Sequence, residues 1–255
     1  MPIALVLLLG AVSTFLGAGA LGAPRPTETP AGAAVTASTT PAPSASTDGT
    51  TTAPAQPTTA PAAGTALEVL AALPVKGRAP MTGYQRTERF GAAWLDVDRN
   101  GCDTRNDVLR RDLVDETGSR CRVLTGVLHD PYTGRTIDFV RGEGTSTAIQ
   151  IDHVVALADA WRTGAQGLSQ EQRVALANDP ANLFAVDGPT NSQKSDGDAA
   201  TWLPPAKAFR CTYVAHQVGV KHAYGLWVTP AEKAAMERVL AACPDERAPA
   251  SGLPR

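Results

Sequence analysis

The chain lacks an apolar run long enough to span a membrane comfortably, and it lacks an excess of positive charge. Its longest apolar stretch, residues 3–16, falls short of the ~20 residues a helix needs to cross a bilayer, and no Lys or Arg precedes it. Lys and Arg number 23 against 25 Asp and Glu, and aromatics make up 5%. Proteins that hold long nucleic-acid tracts through phosphates alone carry a basic balance. Any such binding here must therefore rest on a local patch and a cation. No Cys-x-x-Cys and no paired Cys/His spacing is present, which disfavours a zinc site. Ser-His-Asp arrangements, a P-loop, a dinucleotide-binding glycine pattern, internal repeats and a C-terminal Leu-Pro-x-Thr-Gly motif are likewise missing.

Residues 1–23 read as a signal peptide: a short apolar run followed by small residues, including Ala18-Gly19-Ala20. An uncleaved membrane anchor is the alternative. Residues 24–64 are almost entirely Ala, Pro, Thr, Ser and Gly. Such a segment has too little apolar surface to offset its ordering entropy, so a disordered linker is expected, giving reach. Residues 65–247 remain as one domain, about 180 residues and long enough for a single core. Residues 248–255 are expected to form a flexible tail. With Arg25, Arg255, Glu28 and Asp48 set aside, the domain carries 21 basic against 23 acidic residues.

All four cysteines, Cys102, Cys121, Cys211 and Cys243, lie in that domain. An even count in an exported chain suggests two disulfides, for which three pairings exist. Cys102–Cys121 and Cys211–Cys243 are favoured because each closes a short local loop.

The fold class is expected to be α+β, mostly helical with few strands. Short helices are expected at Leu67–Leu73, at Tyr84–Leu95 with Phe90, Trp94 and Leu95 inward, and at Asn106–Leu113. Cys121–Leu128 and Arg135–Arg141 read as strands joined by the turn His129–Gly134. Ile149–Leu157 reads as strand passing into helix through Trp161. Ser169–Leu176 opens on Ser-x-x-Gln, and Thr229–Ala242 on Thr229, Pro230 and Glu232; both are capping patterns. Thr212–Tyr224 is expected to be helical.

The densest chemistry lies in 149–196. Asp152-His153 ends an alternating strand, and Asn182 and Asn191 follow nine positions apart, with Lys194 one turn later. Hydrolysis of a phosphodiester with one metal needs a hard oxygen ligand, a neutral imidazole beside it and a second oxygen ligand from a nearby element. Neighbouring strand residues point to opposite faces, so Asp152 and His153 can serve one phosphate only where the strand ends or bends. Taken singly, each residue has a plain structural use: Asp152 as a helix cap, Asn182 and Asn191 as turn formers around Asp187-Gly188-Pro189.

In order and spacing these residues resemble the HNH (ββα-metal) nucleases, in particular secreted bacterial HNH proteins with the domain found at the C-terminus of GmrSD-type restriction enzymes. The resemblance covers roughly 100–245, with the ββα core at about 145–205. It implies that Asp152 and Asn191 are metal ligands and His153 the general base. It further implies that Asn182 stabilises the loop and orients the base region, and that Lys194 contacts the scissile phosphate or the transition-state charge. The implied protein is a secreted, metal-dependent endonuclease using Mg²⁺ or Mn²⁺ and leaving a 5′-phosphate. DNA ranks ahead of RNA as substrate. A monomer is expected, extracellular or cell-wall associated, with no small-molecule cofactor and no stable membrane association once the signal is removed.

A second motif competes for attention. Residues 96–107 match the EF-hand ligand pattern through Asp96, Asp98, Asn100 and Gly101, with Asp107 in place of the final Glu. The alternative function is a non-catalytic Ca²⁺-binding wall or surface module built on this loop. Lys207, Arg210 and Lys221 form a candidate basic patch, more readily explained as a solvated face. His129, His216 and His222 read as structural or solvated, and Trp202 as packing.

Overall fold

A computed structural model describes residues 64–250. The expected signal peptide and all but the last residue of the expected linker lie outside the described residues, as do residues 251–255 of the tail. The chain divides at Pro54/Ala55, and every described residue belongs to the second unit. The fold is α+β. Its helices are α1 (Ala66–Ala72), α2 (Arg86–Phe90), α3 (Thr104–Asp112), α4 (Leu157–Arg162), α5 (Gln170–Asn178), α6 (Gly188–Lys194), α7 (Arg210–Ala223) and α8 (Pro230–Leu240). Its strands are β1 (Leu113–Ser119), β2 (Arg122–His129), β3 (Thr136–Val140), β4 (Ile149–His153) and β5 (Leu183–Asp187).

Two antiparallel sheets carry the strands, one ordered β1-β2-β3 and the other the pair β4-β5. Apolar residues of α3 and of both sheets build one core cluster: Val108, Leu109, Leu128, Phe139, Ile149, Ile151, Leu183 and Ala185 all bury against one another. The helices build a second, around Leu70, Trp161, Leu176, Val214, Val218 and Met236. The capping patterns of α5 and α8 form as boxes: Ser169 accepts from Gln172 N while Gln172 accepts from Ser169 N, and Thr229 and Glu232 do the same. Such caps are each worth about 1 kcal/mol.

The helix expected over Tyr84–Leu95 is much shorter. It stops at Phe90 because Gly91 takes φ +80°, a conformation that ends helices and favours glycine. Phe90 is buried as expected, but Leu95 is exposed. Two strands escape the sequence pattern. β1 is a polar edge strand whose register shifts between Val114 and Gly118, and β5 pairs with β4 residue for residue from Ile149↔Asp187 to His153↔Leu183.

Both favoured disulfides form, Cys102–Cys121 and Cys211–Cys243. Among the described residues no helix is long and apolar enough to cross a membrane. Ala248, expected in the tail, is buried.

Candidate active site

Alternation along β4 sets the site. Ile149, Ile151 and His153 share one face, and the first two enter the core between the sheets. Gln150 and Asp152 share the other face. Across that face lies α6, which follows β5 directly, so β4, β5 and α6 make a ββα unit. Asp187 caps α6 through Thr190 N at 2.9 Å, with Pro189 in the first turn. Gly188 is needed for the helix to sit this close, because a Cβ there would meet Thr147 O at 2.2 Å.

This seating brings Asn191 to Gln150 and Lys194 to Asp152. Asn191 Nδ2 donates to Gln150 Oε1 at 2.9 Å, and Oδ1 is the amide's acceptor atom. Lys194 Nζ donates to Asp152 Oδ1 at 3.0 Å and to His153 O at 2.8 Å. The other oxygen of Asp152, Oδ2, accepts a short hydrogen bond from Tyr132 Oη. Tyr132 is fully buried, and burial followed by the charge of Asp152 holds its phenol well above its usual pKa, so it remains a donor. Asp130 places it: Oδ1 accepts from Tyr132 N at 3.2 Å and from Asp187 N at 3.1 Å, tying the β2–β3 turn to the end of β5.

The His153 ring lies on the opposite face from Asp152. It stacks on Trp94, with ring centroids 6.0 Å apart and planes at 15°. Its Nε2 lies 2.8 Å from Ala177 O. That carbonyl can only accept, so Nε2 carries the proton and Nδ1 is the basic nitrogen of the neutral ring. Desolvation, then the nearby Arg86 and Lys194, lower the His153 pKa to about 3, against the opposing pull of the Ala177 hydrogen bond. The ring is therefore neutral at physiological pH. Asn182 is fully buried. Its Oδ1 accepts from Val155 N at 2.9 Å and its Nδ2 donates to Leu176 O at 3.1 Å. It thus clamps the turn after β4 to the carbonyl next to the one His153 uses.

Asp152, Asn191 and Lys194 accordingly share one face, while the His153 ring stays on the other, held at the strand end by Ala177 O and Trp94, and Asn182 supports the turn behind it. Tyr132, Gln150 and Trp94 are partners that sequence reasoning did not assign. Gln150 was foreshadowed by the polar residues alternating with Ile149 and Ile151; nothing in the spacing pointed to Tyr132 or Trp94.

Lys194 also lines a cleft of about 290 Å³ with Arg78, Gln193, Asp196 and Trp202. Trp202 packs its ring against Tyr132, 5.1 Å between centroids. From Arg78 at the cleft an ionic chain runs inward through the buried Asp198, Asp159, Lys221 and Glu232. Arg78 meets Asp198 at 2.6 Å and Asp159 at 3.6 Å, and Lys221 meets Asp159 at 3.2 Å and Glu232 at 2.8 Å. Lys221 is fully buried, which removes it from any surface basic patch. It falls on the inward face of α7 with Val214 and Val218.

In the loop at 96–107 the polar side chains close on the loop's own backbone. Asp96 accepts from Gly101 N at 2.9 Å, Asp98 from Asn100 N at 3.1 Å, and Asn100 accepts from Cys102 N at 2.8 Å. Burial raises the Asp107 pKa, with neighbouring acidic residues adding to it. Among the described residues no three His, Cys, Asp or Glu side chains gather as a metal-binding group.

A hard divalent cation suits the ββα face in donor type, since Asp152 and Asn191 both carry side-chain oxygens. Each oxygen of the Asp152 carboxylate accepts one hydrogen bond from the chain and has a second lone pair.

A ββα unit presenting these side chains within an α+β chain defines the class. The family described as GmrSD restriction endonucleases, C-terminal domain, matches residues 103–239. A relative from Arthroderma benhamiae (strain ATCC MYA-4681 / CBS 112371), described as an uncharacterized secreted protein, is 36% identical over 190 residues, which cover 73% of this chain and 89% of the relative. No solved structure matches. The chain belongs to the GmrSD C-terminal-domain family and so carries a nuclease-type domain. It is a secreted protein, as this relative is, and its two disulfides suit an oxidising compartment.

Proposed function

We propose that the protein is a divalent-metal-dependent endonuclease that hydrolyses nucleic-acid phosphodiester bonds, with DNA ahead of RNA. Asp152 and Asn191 hold one Mg²⁺ or Mn²⁺, and His153 is the general base. The observation that carries the reading is the register of α6 on β4, which sets Asn191 on Gln150 and Lys194 on Asp152 within one ββα unit. When bound, the cation supplies charge for the phosphate and the leaving oxygen.

The chain's own residues do the rest. Ala177 O fixes the His153 tautomer, so that Nδ1 takes the proton of the attacking water. A pKa near 3 keeps that nitrogen unprotonated, and the negative charge of an arriving phosphate raises its basicity. Trp94 holds the ring in plane from above. Asn182 keeps the turn behind it in place, and Gln150 orients Asn191.

The test is incubation of the full chain with supercoiled plasmid DNA and, separately, with RNA, in Mg²⁺, Mn²⁺, Ca²⁺ or EDTA. Cleavage with Mg²⁺ or Mn²⁺ that EDTA abolishes is expected. Intact substrate under every condition would contradict the proposal and favour the calcium-binding reading of residues 96–107.

A further inference from the structure

Both oxygens of Asp152 are engaged by the chain itself. Oδ1 accepts from Lys194 Nζ at 3.0 Å and Oδ2 from Tyr132 Oη. The Lys194 side chain is 0% exposed and that of Asp152 7%. The ammonium is anchored a second time by His153 O at 2.8 Å. The carboxylate proposed above as a metal ligand is therefore already charge-balanced by a buried cation.

A divalent ion brought to the same carboxylate would face the Lys194 ammonium at close range in a poorly solvated site, where like charges repel strongly. We infer that Lys194 is a built-in counter-cation of Asp152 that competes with the divalent ion, so that loading the ion requires the ammonium to leave the carboxylate. The inference rests on the assignment of Asp152 as a metal ligand made above.

Lys194 has a place to go. Lys194 is one of the residues bordering the cleft, beside Arg78, Gln193 and Trp202, with its ammonium buried just behind. A phosphodiester entering that cleft offers the ammonium a new anion. Its departure leaves Asp152 as an almost buried carboxylate without its counter-charge, and such a group binds a cation avidly. Phosphodiester and divalent ion each favour the state in which Lys194 has left Asp152. By linkage each then tightens the binding of the other. In the free protein Lys194 keeps the metal site closed.

The test is Mn²⁺ titration by calorimetry on the full chain, with and without a non-hydrolysable phosphorothioate DNA oligonucleotide, for the wild type, Lys194→Met, Lys194→Arg and Asp152→Asn. Without the oligonucleotide, Lys194→Met is expected to bind Mn²⁺ about tenfold or more tightly than the wild type, and Lys194→Arg to stay near it. The oligonucleotide is expected to tighten Mn²⁺ binding in the wild type and not in Lys194→Met. Equal or weaker Mn²⁺ binding by a folded Lys194→Met would overturn the inference, as would the same tightening by the oligonucleotide in both. Should Lys194→Met fail to fold, the wild type decides: no tightening by the oligonucleotide overturns the inference. Asp152→Asn separates the two claims. Mn²⁺ binding unchanged in that variant would refute the ligand assignment itself.

Discussion

Tyr132 Oη, carried by the turn between β2 and β3, donates to Asp152 Oδ2 at the end of β4. The carboxylate at the centre of the site is thus oriented from the other sheet, and the two sheets are coupled at that point. Tyr132→Phe keeps the ring packing on Trp202 and Tyr213 and removes only the donor. A buried carboxylate oxygen loses its partner, so a stability loss of about 1–3 kcal/mol is expected. Chemical denaturation measures it, and an unchanged midpoint would show that the bond carries nothing.

Gly188 seats α6 on β4. A Cβ at this position lies 2.2 Å from Thr147 O and 3.2 Å from Gln150 Nε2, and backbone cannot yield as a flexible side chain can. Gly188→Ala is expected to cost about 1–3 kcal/mol and to lower any cleavage activity by shifting Asn191 and Lys194 off their partners. Full activity with unchanged thermal stability would mean that the helix can move without consequence.

Much of the candidate site could be proposed from the sequence, and the limits are physical. The Asp-His pair, the two asparagines and Lys194 announce themselves by order and spacing, and the helix caps at Ser169 and Thr229 are local chemistry. Both disulfides followed from loop length. What could not be read depends on tertiary contacts. β1 is polar because it is an edge strand, so no hydrophobic alternation marks it. The helix from Tyr84 was cut short by one glycine at positive φ. Tyr132 reaches Asp152 across 20 residues through a turn whose geometry Asp130 sets, and no period links the two. Lys221 looked like a surface cation on an amphipathic helix until Asp159 and Glu232 were found facing it from α4 and α8.

That buried Lys221 yields a further prediction. Desolvation works against its charge, but Glu232 and Asp159 outweigh it and raise its pKa. Lys221→Met would leave the buried carboxylates of Asp159 and Glu232 without the ammonium they share, with Arg78 reaching only Asp159 of the two, at 3.6 Å. A loss of about 3–5 kcal/mol is expected, enough to read as a sharp drop in Tm or in soluble yield. Wild-type stability in this variant would show the ionic chain to be dispensable.

Two histidines set the acid limit. Burial lowers the pKa of His153 from 6.5 to about 3, and burial likewise lowers that of His216, whose Nδ1 meets Ala181 O. In the unfolded chain both titrate near 6.5, so below that pH the unfolded state binds more protons than the native one. Their contribution to stability is complete above about pH 6.5 and is lost as pH falls toward 3. Tm is expected to fall between about pH 7 and about pH 5, and His216→Gln to flatten part of that slope. A Tm independent of pH over this range would contradict the assignment of buried neutral rings.

In the proposed phosphodiesterase site His153 is the base, and removing its imidazole removes the chemistry. The most direct measurement is plasmid nicking by the full chain in Mn²⁺, wild type beside His153→Ala, with the folded state of both checked by circular dichroism. Loss of cleavage in a folded His153→Ala, with 5′-phosphate ends in the wild-type product, is the expected result. Cleavage at the wild-type rate by the variant would place the chemistry elsewhere on the molecule.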